Sequence, residues 1–129
     1  MREYRSIRLR WLAASLVAWS LPGCSDGGGP EPGPPTTAAV TVGSNFFHSD
    51  RNGTEAPAVD TVAADGTVTW TWGEAGSHSV RSTSVPGFTS GTVQSDAGST
   101  YNVTFTASGT YEYDCEIHGA QMIGRIVVR

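Results

Sequence analysis

From residue 38 to the end of the chain, apolar side chains recur at alternate positions, and turn-forming residues interrupt them roughly every ten positions. Val40 and Val42 open one strand, and Val59, Thr61 and Ala63 suggest a second. Asp65-Gly66 turns the chain into Val68, Trp70 and Trp72, which alternate with threonines. Tyr101, Val103 and Phe105 alternate with Asn102, Thr104 and Thr106, and Ser108-Gly109 then leads into Tyr111, Tyr113 and Cys115 on one face. Ile126 and Val128 close the series. No window longer than about ten residues carries the i, i+3, i+4 spacing of an amphipathic helix. Seven or eight short strands in this length predict an all-β sandwich, and no internal repeat supports a propeller or solenoid.

The pattern before residue 38 is different. Residues 1 to 10 hold four Arg, and Trp11 to Leu21 form a mostly apolar run too short to span a bilayer. A basic head, a short apolar stretch and a small residue before a break describe a secretory signal peptide, expected over residues 1–23. The break, Leu21-Pro22-Gly23-Cys24, resembles the lipobox of bacterial lipoproteins, in which cleavage leaves the Cys thiol to be acylated. Cys24 is therefore the expected lipid attachment point and Ser25 favours outer-membrane sorting in a double-membraned cell; the plainer alternative is secretion with Cys24 as a spare thiol. Residues 24–37, rich in Gly and Pro, read as a tether, which leaves residues 38–129 for the domain.

A mass of 13.5 kDa allows one small domain, and a charged fraction of 16 % excludes a charge-driven disordered chain. Four of the eight Arg lie in the leader, and there is no Lys. From Cys24 onward four Arg face 11 acids, a net charge of −7. That argues against nucleic acid as a ligand, because phosphate binding needs clustered cations, and leaves a basic protein partner open.

The chemistry is concentrated in Cys115-Glu116-Ile117-His118-Gly119-Ala120-Gln121-Met122. With three His and two Met in the chain, chance yields such a Cys, His and Met grouping on the order of once in a thousand. Thiolate, imidazole and thioether are soft or borderline donors that favour copper over hard cations, and a His2Cys plane with a weak axial Met is the blue-copper electron-transfer arrangement. Cys115 and His118 supply two corners, and Met122, further along the loop, is placed to reach the axial position. The second His is expected to be His78, after the loop Gly73 to Ser77; His48, in a polar run that reads as a solvated loop, is the lesser candidate. The competing readings are a Cys24–Cys115 disulfide and an inert buried Cys115 beside a surface His118. Trp70, Trp72, Tyr111 and Tyr113 read as core aromatics rather than an electron relay, and Asn45-Phe46-Phe47 as apolar packing. The sequons at Asn52 and Asn102 carry no weight beside a bacterial lipobox. Glu112, Asp114 and Glu116 read as a solvated acidic stripe, with docking of a basic redox partner as a secondary role.

The stretch from Gly109 to Val128 resembles the plastocyanin/azurin family of small cupredoxins: an aromatic strand leading into Cys, two residues, His, a short Gly-containing loop, Met, then Gly and a last strand. Gly66 to Trp72 followed by His78 is similar to the strand and loop bearing the family's first His, and the resemblance extends over about residues 38 to 129. It implies a cupredoxin-like Greek-key β-sandwich binding one copper ion, with His78, Cys115 and His118 as equatorial ligands and Met122 as the axial one. Ser79 stands where the family often has an Asn that pins the two ligand loops together. The implied role is one-electron transfer at the bacterial cell envelope with a redox protein as partner, the exposed edge of His118 serving as the electron's exit. Carriage or sequestration of copper is the first alternative, and a surface binding module with a vestigial or zinc-filled site the second. No small-molecule substrate and no enzyme activity are expected, because no nucleophile-and-base constellation stands out.

Overall fold

The computed structural model describes residues 29–129, so the expected signal peptide and Cys24 lie outside the described residues. Eight strands follow one another: β1 (Thr37–Val42), β2 (Phe47–Ser49), β3 (Ala58–Val62), β4 (Gly66–Trp72), β5 (Arg81–Ser82), β6 (Thr100–Phe105), β7 (Gly109–Cys115) and β8 (Gly119–Val128). They form two four-stranded sheets in the orders β2-β1-β4-β6 and β3-β8-β7-β5. The pairs β1/β4 and β3/β8 are parallel and the others antiparallel. Every connection from β2 to β7 carries the chain from one sheet to the other, so most sheet neighbours are distant in sequence. The expected all-β sandwich is thus the observed one, with no helix among the described residues.

The two-residue period explains most of the core. Val40 and Val42 on β1, Val68, Trp70 and Trp72 on β4, Tyr111, Tyr113 and Cys115 on β7, and Ile126 and Val128 on β8 all face inward and are buried. Trp70 lies at the centre, edge-on to Tyr113 at 5.2 Å between ring centroids and flanked by Phe88 at 6.0 Å and Tyr101 at 5.9 Å. The aromatic residues are core, as their alternation predicts. Tyr113 crosses to β8 over Gly124, where a Cβ would fall inside the phenol ring, so this position requires glycine.

Three local expectations are corrected. On β3 the inward side chains are Ala58, Asp60 and Val62, one residue out of step with the set Val59, Thr61 and Ala63. The alternation signal failed there because an acid occupies the central inward position. His48 sits on β2 rather than in a solvated loop, half-buried, with Nδ1 2.9 Å from the Glu55 carboxylate. In the acidic stripe, Asp114 pairs with Arg81 at 2.7 Å and Glu112 with Arg125 at 2.8 Å. These pairs sit directly across β5/β7 and β7/β8, so two of the three acids are neutralised where they stand.

At the β2/β3 edge, Ser49 Oγ donates to Asp60 Oδ1 at 2.8 Å and joins the two sheets. Both residues are fully buried, and Asp60 Oδ2 has no hydrogen-bond partner. Burial pushes the Asp60 carboxyl pKa above its ordinary value, with the Ser49 hydroxyl opposing that shift.

Candidate metal centre

Cys115 is the last residue of β7, and a three-residue turn, Glu116 to His118, leads into β8. Gly119, which starts β8, has φ +54°, a left-handed conformation that favours glycine and lets the chain reverse directly behind His118. His78 follows the loop after β4. Its backbone exchanges two hydrogen bonds with Gln94, His78 N–H to Gln94 O at 3.0 Å and Gln94 N–H to His78 O at 2.9 Å. The loop itself is tied to the β1–β2 connection by Glu74 Oε1, which accepts the Ser44 N–H at 2.8 Å; the Ser44 side chain and, after it, this N–H hold the Glu74 pKa below its ordinary value.

These elements bring His78, Cys115 and His118 together. Their donor atoms all lie within 4.8 Å of one another, with Cys115 Sγ 3.8 Å from His78 Nδ1 and 3.5 Å from His118 Nδ1. Around a soft first-row ion, bonds of about 2.3 Å to sulfur and 2.0 Å to nitrogen at a trigonal angle would set such atoms about 3.7 Å apart. The observed spacing therefore fits a single ion. The imidazoles lie 4.9 Å apart between centroids, both presenting Nδ1 to the thiol. Cys115 is a free, fully buried thiol, His78 is 2 % exposed, and His118 is half-buried. Burial lowers the His78 pKa, the neighbouring His118 adds to that effect and Glu74 opposes it, which favours the neutral ring a metal needs.

Met122 is fully buried on the inward face of β8, in the same apolar cluster as Cys115; it belongs to the strand rather than to the loop expected for it. His48 is not part of the three-residue group. Ser79, 1 % exposed, accepts the Glu116 N–H on its Oγ at 3.0 Å and so ties the His78 segment to the turn after Cys115. A hydroxyl thus makes the link between the two loops. The partners Gln94, Glu74 and Arg81 have no motif to mark them and become visible only through the pairing of distant segments. A groove of about 550 Å³ runs along β6 past Phe88 and Tyr101 and includes none of the three clustered residues.

The sequence pattern of the copper-binding proteins of the plastocyanin/azurin family matches residues 55–129. Among solved structures, the chain is similar to a purple cupredoxin from Nitrosopumilus maritimus, with 21 % identity and a TM-score of 0.56 over 71 % of this chain and 99 % of that one; this likeness concerns the fold. It is also similar to a reduced Cu(I) form of an amicyanin variant, with 30 % identity and a TM-score of 0.53 over 70 % of this chain and 82 % of that one. An oxidised amicyanin variant matches at 27 % identity and a TM-score of 0.56, covering 84 % of this chain and 88 % of that one.

Proposed function

The chain belongs to the plastocyanin/azurin family of copper-binding proteins, and on that premise we propose that it is a type 1 copper protein carrying single electrons at the bacterial cell envelope. The observation that carries this reading is the buried group of one free thiol and two imidazoles at single-ion spacing, held on a sheet end and two braced loops. In this reading His78, Cys115 and His118 would hold the copper ion, with the Met122 thioether as a further, weak donor. The copper ion supplies a one-electron couple.

The protein's part is to keep one ligand geometry through both oxidation states. Cys115 is fixed by the β7 ladder, His78 by its paired hydrogen bonds to Gln94, and the two loops by Ser79. A frame so braced keeps reorganisation small. His118 is the ligand whose ring is partly open to solvent, and it is the exit for the electron to a redox protein. Cys24, once acylated, anchors the domain through the Gly- and Pro-rich tether that ends where β1 begins at Thr37.

Copper carriage or storage is separated from electron transfer by exchange. The full chain, loaded with copper and cycled between ascorbate and ferricyanide in the presence of a Cu(I) chelator, retains its metal through repeated cycles if it is an electron carrier. Loss of copper to the chelator within the first cycles would assign it to metal transfer instead.

A further inference from the structure

Resting on the copper reading above, we propose that Arg81 is a positioning residue for Cys115 and that, through Asp114, it sets the reduction potential of the site. The segment that carries His78 grips the Cys115 strand at two points. Ser79 Oγ accepts the N–H of Glu116, the residue just after Cys115, at 3.0 Å. Arg81 donates from Nε to Asp114 Oδ1 at 2.8 Å and from a terminal nitrogen to Oδ2 at 2.7 Å, holding the residue just before it. Arg81 and Asp114 lie directly opposite in the β5/β7 register, and β5 is only two residues long, so this fork is the main side-chain tie of that short strand.

The consequences are both geometric and electrostatic. With both neighbours of Cys115 held from the His78 side, the sulfur and the first imidazole keep their spacing before any metal arrives. The Asp114 carboxylate, whose side chain is 14 % exposed, stands next to the thiolate in the chain, and by itself it would favour the more positive, oxidised metal. The Arg81 guanidinium cancels that charge. A Lys in its place keeps the charge but loses the planar fork.

The test uses four variants of the full chain: Arg81→Met, Arg81→Lys, Asp114→Asn and the double Arg81→Met/Asp114→Asn. Arg125→Met is the control, because it breaks the Glu112 pair, two residues further along β7 from Cys115 than Asp114. The potential is expected to fall in Arg81→Met, rise in Asp114→Asn, and return close to that of the parent in Arg81→Lys and in the double variant. Copper release is expected to quicken about tenfold in all four and to stay unchanged in the control. In the metal-free chain, exchange of the Glu116 amide hydrogen should quicken in the same four. Potentials that do not move, or that move in the same direction in the two single charge-changing variants, would refute the electrostatic part. Unchanged copper release and unchanged Glu116 exchange would refute the clamp. A chain without a blue copper band would overturn the copper reading, while the Glu116 exchange still decides the clamp.

Discussion

Removing the hydroxyl of Ser49 should destabilise the domain in a way that depends on pH, because its partner is a fully buried carboxyl. In Ser49→Ala, Asp60 loses its single side-chain hydrogen bond, and its second oxygen is already unpartnered. A hydrogen bond to a charged group contributes about 1.5–3 kcal/mol, and one to a neutral group about 1 kcal/mol. Burial raises the Asp60 pKa, so the folded chain holds this proton more tightly than the unfolded chain does. The associated stability is therefore fully present below the ordinary value of 3.8 and is lost as pH rises from there through the raised folded value. The Ser49 hydroxyl lowers that folded value, so Ser49→Ala extends the loss to higher pH. Urea unfolding of the metal-free chain should show Ser49→Ala costing more near neutrality than below pH 3.8. Asp60→Asn keeps an acceptor for Ser49 and removes the charge, so it should be more stable than the parent at neutral pH. The nearby His48, Asp50 and Arg51 face the same carboxylate in the parent and in Ser49→Ala, so their contribution cancels between those two chains. Equal costs for Ser49→Ala at both pH values, or destabilisation by Asp60→Asn at neutral pH, would refute this account of the edge.

Gly124→Ala should destabilise the fold by about 1–3 kcal/mol, because a methyl group there displaces the Tyr113 ring; denaturant unfolding reads it. Ser79→Ala leaves the Glu116 N–H without its acceptor and should cost about 1 kcal/mol while broadening the copper EPR signal through a looser site. On the proposed ligand set, Met122→Leu should retain copper and its colour but change the reduction potential, as measured by voltammetry, since a thioether is a weak ligand. Trp70→Ala should cost about 3–5 kcal/mol in thermal or urea unfolding, as befits the fully buried centre of the aromatic cluster.

The parts of the fold that could be read from the sequence are those where packing alone decides the residue. β4, β6 and β7 announce themselves because their inward positions carry large apolar side chains and tight turns precede β4 and β7. On β3 the buried Asp60 inverts the signal, and a polarity rule then chooses the outward face. β2 and β5 are too short to show a period at all; pairing with the neighbouring β1 creates the first and pairing with the distant β7 the second. The cluster at Cys115 and His118 was legible because three scarce donor types fall within eight residues, and His78 because it follows a strand-and-loop pattern. Ser79, Gln94 and Arg81 were not, since Ser, Gln and Arg are common and their role here depends on contacts across more than ten residues of chain.

The most direct test of the copper assignment is titration of the full chain with Cu(II), followed by visible absorption and EPR, alongside His78→Ala and His48→Ala. The account predicts one copper per chain with an intense blue band, lost in His78→Ala and kept in His48→Ala. A colourless protein, or a blue band that survives His78→Ala, would contradict it.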